Sequence, residues 1–215
     1  MPRTTTLVFA GDSITDAGRD REDATSLGDG YVALIAQAVA DSDAGMTVVN
    51  QGIGGDRAVD LAARWHDVLA TEPDVLTVYV GVNDMWRRFD SDDPTSAADF
   101  EATVEGLLQV ARDAGVERLV LIEPFFVPVR DDQVAWLDDL NGKRDAVRRL
   151  AERFGATLVE LHDAVTSAAA QNGASAIAPD GVHPTPQGSA IIADAWLRAH
   201  ASLMPVGAET AGVSP

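Results

Sequence analysis

Short, continuously apolar runs alternate along this chain with longer stretches of helical periodicity, and this alternation constrains the fold more than any other feature. An apolar run of about four to eight residues without polar alternation is typical of a parallel strand that helices cover on both faces. Strands are predicted at residues 6–10, 46–50, 75–80, 118–122 and 157–160. Helices are predicted at residues 30–40, 57–70, 96–114, 132–154, 162–171 and 187–203. This succession predicts a three-layer α/β sandwich.

The length of the chain suits one domain of this class. Its 215 residues, 46% of them hydrophobic, are enough to bury a full core without disulfides. No repeat, linker or change of composition divides residues 1–204, which are predicted to form a single domain. Residues 205–215 are rich in small side chains and are predicted to be a flexible tail.

The charge balance limits the partners of the protein. Sixteen Lys and Arg residues against 34 Asp and Glu residues give a net charge of −18. Because such a surface repels phosphate backbones and anionic lipid headgroups, nucleic acids and membranes are predicted not to be partners. The first apolar run, residues 7–10, is too short for the core of a signal peptide, which predicts a cytoplasmic protein. The sequence leaves the oligomeric state open, a homo-oligomer included.

Each of the first three predicted strands ends in a polar or glycine-rich motif. The motifs are Gly11-Asp12-Ser13, Gly52-Ile53-Gly54-Gly55-Asp56 and Gly81-Val82-Asn83-Asp84. In an open parallel sheet with the strand order 2-1-3 the carboxyl ends of these strands are neighbours, and ligands bind in the crevice outside such ends. One cleft is therefore predicted to hold all three motifs. The long connections at residues 14–29 and 85–95 are predicted to shape it.

Ser13 is a candidate nucleophile. A serine hydroxyl attacks poorly until a neighbouring base takes its proton and a third group holds that base. Asp180 and His183 supply such a pair on a turn in which Gly181 allows the carboxylate to reach the imidazole. Each feature alone also fits a simpler role, Ser13 as a helix cap and Asp180-x-x-His183 as an Asx turn. Their occurrence together at opposite ends of one α/β chain favours a Ser-His-Asp triad.

A tetrahedral acyl intermediate also needs hydrogen-bond donors for its oxyanion. Three are predicted: the backbone N–H groups of Ser13 and Gly55, and the side-chain amide of Asn83. Gly55 fits a tight turn equally well, and that role is compatible with donating to the oxyanion. Asn83 taken alone fits an Asx turn as well as it fits this role.

These motifs together resemble the four sequence blocks of the SGNH (GDSL-type) hydrolases. Ser13, Gly55, Asn83 and His183 stand in the blocks in the order and spacing of that family, over residues 11–184. The resemblance implies a flavodoxin-like α/β/α sandwich with a five-stranded parallel sheet of order 2-1-3-4-5. It also implies a triad of Ser13, Asp180 and His183, an oxyanion hole of Ser13, Gly55 and Asn83, and no cofactor.

Three further segments are similar to those of SGNH carbohydrate esterases, the acetylxylan esterases in particular: residues 12–19, 27–32 and 83–90. This similarity implies a serine esterase that removes acetyl groups from xylo-oligosaccharides or similar saccharides, so the expected partner is a small-molecule or oligosaccharide ester. Asp12, Trp86 and Phe125 are the candidate substrate contacts, since Trp86 offers a face for a sugar ring and Phe125, with Phe126, lies beyond the fourth strand at the same sheet edge.

Other functions fit the sequence less well. An α/β-hydrolase elbow needs Gly-x-Ser-x-Gly, which the residues after Ser13 do not supply. A metal is not expected because His66, His162 and His200 lie on separate predicted segments without ligand spacing, and cysteine is absent. The alternatives that stay open are a thioesterase or lysophospholipase acting on longer acyl chains, and a carbohydrate-binding module with an inactive triad.

Overall fold

A computed structural model describes residues 4–41 and 45–201, and these residues form a parallel sheet with the strand order β2-β1-β3-β4-β5. The strands are β1 (Thr5–Gly11), β2 (Met46–Gly52), β3 (Val75–Tyr79), β4 (Arg118–Ile122) and β5 (Thr157–Val159). Every pairing between neighbouring strands is parallel. The predicted fold class and strand order are therefore confirmed.

Helices cover both faces of the sheet. They are α1 (Ser13–Asp16), α2 (Tyr31–Asp41), α3 (Ala58–Ala63), α4 (Trp65–Leu69), α5 (Val82–Asp90), α6 (Ala97–Asp113), α7 (Trp136–Phe154), α8 (His162–Asn172), α9 (Ala174–Ile177) and α10 (Pro186–Ala199). Helices α2, α8 and α10 pack on one face, and α3, α4, α6 and most of α7 pack on the other. Within the described ranges, every helix is too short or too polar to span a lipid bilayer.

The central strand β1 shows why the apolar runs are continuous. Successive side chains of a strand point to opposite faces, so Leu7 and Phe9 enter one core while Val8 and Ala10 enter the other. All four are buried. A polar residue at any of these positions would lie in an apolar core, which is why alternation of polar and apolar residues is missing here.

The register of the strands places the ends of β1, β2 and β3, and so the three motifs that follow them, side by side at one edge of the sheet. Gly11 at the end of β1 lies opposite Gly52 of β2 and Tyr79 of β3. A Cβ atom on Gly52 would lie only 2.2 Å from the backbone nitrogen of Asp16, so glycine is required where α1 crosses the end of β2. The three strands therefore open into one crevice at their carboxyl edge.

The helix predicted at residues 57–70 is interrupted at Arg64. This residue separates α3 from α4 with a non-helical φ of −117°, and its guanidinium turns back toward the sheet. It donates to the carboxylate of Asp56 at 2.7 Å and to the carbonyl oxygens of Gln51 (2.9 Å) and Gly11 (3.1 Å). Through these hydrogen bonds, the Arg64 side chain connects the ends of β1 and β2 to the glycine-rich loop between β2 and α3.

The prediction of a long connection at residues 85–95 is wrong in its first half, because α5 continues to Asp90. The helix forms because Val82 and Met85 are buried on one side while Arg87 pairs with Asp90 at 2.5 Å on the other. The predicted helix 132–154 opens with a 3-10 turn (Asp131–Gln133) before α7. Residues 202–203 of the last predicted helix and the predicted tail 205–215 lie outside the described residues.

Candidate active site

Three predicted side chains meet at the carboxyl edge of the sheet. The Oγ of Ser13 lies 2.9 Å from Nε2 of His183, and Nδ1 of His183 lies 2.6 Å from Oδ2 of Asp180. Both distances are within hydrogen-bond range. An alcohol, an imidazole and a carboxylate in this order form the arrangement in which the imidazole accepts the proton of the alcohol and the carboxylate holds the imidazole.

Ser13 is presented by the sharp turn between β1 and α1. Asp12 is the N-cap of α1, and its side chain accepts a hydrogen bond from the N–H of Ile14 at 3.0 Å. Ser13 is the first residue of the helix, where backbone N–H groups have no partner inside the helix. Among the described residues, the N–H of Ser13 has no protein acceptor, so it is available to a ligand.

The turn that carries His183 is fastened by the carboxylate of Asp180. One oxygen of Asp180 accepts from the N–H groups of Val182 (2.9 Å) and His183 (2.8 Å), while the other contacts the imidazole. Partial burial raises the pKa of Asp180, but the hydrogen bonds from the His183 ring and these two N–H groups outweigh it and hold the pKa below its usual value. The carboxylate is therefore ionised at neutral pH.

The proposed oxyanion donors line the same space. Gly55 has a φ of +89°, which a glycine adopts without strain, and its N–H has no acceptor among the described residues. The side-chain nitrogen of Asn83 donates to the carbonyl oxygen of Asp56 at 3.0 Å, which leaves its second hydrogen for a ligand. A cavity of about 330 Å³ is lined by Ser13, Gly54, Gly55, Asn83, Trp86, Arg87, Val182 and His183.

The sequence model of the GDSL-like lipase/acylhydrolase family matches residues 9–191, a range that includes all of these residues. The chain belongs to this family. It is therefore a hydrolase of carboxylic esters, as the SGNH resemblance predicted. An acetylxylan esterase of Geobacillus stearothermophilus is 35% identical over 205 residues, which cover 89% of this chain and 92% of that protein.

Two solved structures of hydrolases are similar to this chain over most of its length. The α/β hydrolase LAE5 from the metagenome of Lake Arreo is 34% identical, with a TM-score of 0.85. A single-substitution variant of Axe2, an acetyl xylan esterase from Geobacillus stearothermophilus, is 32% identical with a TM-score of 0.84. In both comparisons the match covers 93% of this chain and 96% of the other.

Two carboxylates hold the loop between β2 and α3 that contains Gly55, and no local sequence pattern indicates their partners. Asp16 accepts from the N–H of Gly54 at 3.0 Å on one side of the loop. Asp84 accepts from the N–H of Ala58 at 3.1 Å on the other side, and burial raises the pKa of Asp84 to about 6. Gly55 therefore sits on a loop that is tied at both ends.

An aromatic cluster flanks the cavity that Ser13, Asn83 and His183 line. Trp86 lines the cavity and meets Trp136 edge to face, with ring centroids 5.1 Å apart. Trp136 in turn stacks on Phe89 at 4.6 Å and on Phe126 at 5.6 Å. Trp136 was not among the predicted site residues, because it stands fifty positions beyond Trp86 at the start of an amphipathic helix and carries no local motif.

The structure places Asp12 and Phe125 away from the cleft surface. Each is only 1% exposed, so neither side chain is available to substrate, and the predicted direct contacts are replaced by other roles. Asp12 caps α1 directly before Ser13, and Phe125 belongs to the core beneath the α8 and α10 face. Phe126 is also buried, with its ring against Gly181 under the turn that carries His183.

The remaining histidines lie on separate elements. His66 is exposed beside Asp67, and Nδ1 of His200 lies 2.9 Å from the carbonyl oxygen of Trp196. The backbone N–H of His162 donates to Glu123. Within residues 4–41 and 45–201, no group of three or more His, Asp or Glu side chains has the arrangement of a metal site.

Burial of Asp12 predicts a pH-dependent effect on stability. Burial, with the nearby carboxylates of Asp84 and Asp56 adding to it, raises the pKa of Asp12 to about 7. Between the unfolded-state pKa near 3.8 and about 7, the native state retains a proton that the unfolded chain has lost. This contribution to stability is therefore complete at low pH and is lost as the pH rises toward 7.

The variant Asp12→Asn keeps an acceptor for the N–H of Ile14 but cannot ionise. We expect its melting temperature relative to the wild type to be higher at pH 8.5 than at pH 5.5 by a few degrees, since about 1 kcal/mol shifts a domain of this size by about 2–4 °C. Asp23→Asn, at an exposed site, is the control. An equal change at the two pH values would contradict the assignment.

Proposed function

We propose that this chain is a serine esterase that removes acetyl groups from acetylated xylo-oligosaccharides, with Ser13 as the nucleophile. The observation that carries the proposal is the continuous hydrogen-bonded relay from Ser13 through His183 to Asp180. In this role His183 is the general base and Asp180 fixes the tautomer of its imidazole. The oxyanion donors are the N–H groups of Ser13 and Gly55 and the amide of Asn83.

The reaction runs in two halves. His183 takes the proton of Ser13 as its Oγ attacks the acetyl carbonyl, and the resulting oxyanion receives hydrogen bonds from the three donors, each worth on the order of 10²–10³ in rate. His183 then protonates the sugar oxygen as the C–O bond breaks, which leaves an acetyl group on Ser13. Water, activated by His183, attacks this acetyl ester and releases acetate.

Three features support a saccharide ester as the substrate class. The relative at 35% identity is an acetylxylan esterase. The net charge of −18 is compatible with a neutral oligosaccharide and disfavours an anionic ligand. Trp86, half-buried on the wall of the cavity, offers an aromatic face of the kind that packs against sugar rings.

The cytoplasmic location, the single-domain boundary and the exclusion of nucleic acid and membrane partners stay predictions.

The test measures acetate released from acetylated xylo-oligosaccharides and from a panel of other acetylated saccharides. A series of 4-nitrophenyl acetate, butyrate and octanoate, measured in parallel, gives the acyl preference. We expect kcat/KM to be highest for the acetyl ester and to fall with chain length. Fastest turnover of the octanoyl ester would instead favour the thioesterase or lysophospholipase alternative. Ser13→Ala supplies the background of spontaneous hydrolysis.

A further inference from the structure

A second, smaller cavity adjoins the Ser13–His183 pair. Its volume is about 180 Å³, and it shares only Ser13 and His183 with the larger cavity that holds the oxyanion donors. The other residues that line it are Ala17, Asp29, Gly30, Pro184, Pro186 and Ser189. We call it the Ser189 cavity. The proposed reaction mechanism does not use this space.

The Ser189 hydroxyl is the unusual group in this cavity. Ser189 lies in the first turn of α10 and is only 6% exposed, and its backbone N–H is bonded to the carbonyl oxygen of Thr185 at 2.8 Å. Among the described residues, its Oγ has no hydrogen-bond partner, and it faces Gly30 across the cavity. A serine hydroxyl both donates and accepts hydrogen bonds, so at the wall of a cavity it can bind a hydroxyl group of a ligand.

The carboxylate of Asp29 lies at the entrance of the Ser189 cavity and limits which ligands can bind there. Its side chain is exposed at the edge of the cavity, while its backbone N–H is bonded to the carbonyl oxygen of Ala17 at 3.0 Å. A carboxylate accepts hydrogen bonds from neighbouring hydroxyl groups, and it disfavours both an acyl chain and an anion. The cavity is also smaller than the roughly 300–1,000 Å³ of pockets for drug-sized ligands, which limits it to one small ring.

We propose that the Ser189 cavity binds the sugar residue of the leaving alcohol, with Asp29 and Ser189 hydrogen-bonded to its hydroxyl groups. This inference rests on the proposed esterase function. His183 lines the cavity and is the group that protonates the leaving oxygen, so an alcohol seated here has that oxygen beside its proton donor. The acetyl group then occupies only the side of the larger cavity formed by Gly55 and Asn83, which leaves the Trp86 wall for a neighbouring sugar ring.

The test compares two acetate esters that differ only in the alcohol. One is a monoacetylated xylobiose. The other is 2,2,2-trifluoroethyl acetate, whose alcohol has no hydroxyl group besides the esterified one and so cannot hydrogen-bond to Asp29 or Ser189 through a second hydroxyl. We expect Asp29→Ala and Ser189→Ala each to lower kcat/KM for the saccharide about fivefold and to leave the trifluoroethyl ester within about twofold. Asp29→Asn, which retains an acceptor, should lose less than Asp29→Ala.

Glu22→Ala is the matched control, since it removes one carboxylate from the same exposed loop outside the cavity. It should leave the ratio between the two substrates unchanged. Equal losses on both esters, or a change in the preference among acetyl, butyryl and octanoyl esters, would overturn the inference while the esterase function stands. Failure of the wild-type enzyme to deacetylate the saccharide, with the trifluoroethyl ester still hydrolysed, would overturn the proposed substrate as well. Asp29 is exposed, so its variants test the inference even if Ser189→Ala is unstable.

Discussion

Replacing Ser13 by alanine should lower kcat for 4-nitrophenyl acetate by about 10⁶-fold, because the variant has no atom to form the acyl-enzyme bond. Ser13 is half-buried, and within the described part of the chain its hydroxyl hydrogen-bonds only to the ring of His183, so the melting temperature should change little. His183→Ala should have an effect of similar size. The double variant should lose no more than either single variant, because the two groups act as one unit.

Ser167→Ala is a suitable control because this serine is exposed on α8, away from the site. The measurements are initial rates and thermal melting curves of the wild type and the four variants. If Ser13→Ala kept more than about one hundredth of the wild-type kcat, the assignment of Ser13 as nucleophile would be wrong.

Asp180→Asn should lower kcat by about 10⁴-fold while the fold is retained. The new side chain still offers one oxygen to the N–H groups of Val182 and His183, so the turn should persist. Its amide N–H₂ group can replace the carboxylate oxygen that now lies 2.6 Å from Nδ1 of His183. A donor at this position stabilises the tautomer in which Nε2 carries the proton, and that tautomer cannot accept the proton of Ser13.

A second Asp–His pair provides the control for this variant. Asp67 lies 3.0 Å from Nε2 of His66 on the exposed surface of α4, and Asp67→Asn should leave kcat unchanged. The comparison requires kcat and melting temperature for both variants. A loss of less than about tenfold for Asp180→Asn would show that the carboxylate does not orient the catalytic imidazole.

The sequence predicted the sheet and the convergence of the motifs because both depend on local patterns. Continuous apolar runs identify strands that are covered on two faces, and parallel strands bring their carboxyl ends to one edge. Gly11, Gly52 and Tyr79 lie in register at that edge, so the residues that follow them share one crevice. The side chains of Ser13 and His183, 170 positions apart, meet there as expected.

The supporting contacts were not predictable in the same way, because they depend on tertiary packing. Asp12 is a polar residue beside Ser13 and so was expected to contact substrate. It is buried instead, as the N-cap of α1. Trp136 joins the aromatic cluster behind Trp86 only through ring contacts with residues of α5 and of the segment after β4. The apolar periodicity of residues 57–70 continues across Arg64, yet the helix is interrupted there. The Arg64 side chain instead donates hydrogen bonds to the ends of β1 and β2, contacts that helical periodicity does not reveal.

Peptide mapping after reaction with a fluorophosphonate gives the sharpest test of the Ser13–His183–Asp180 relay, because this reagent modifies only a serine that a neighbouring base has activated. We predict that the adduct forms on Ser13 and that esterase activity is lost in proportion to its occupancy. His183→Ala, with the same serine but no base, should react far more slowly. Inactivation with the adduct on another residue, or full activity in a protein whose Ser13 is modified, would contradict this mechanism.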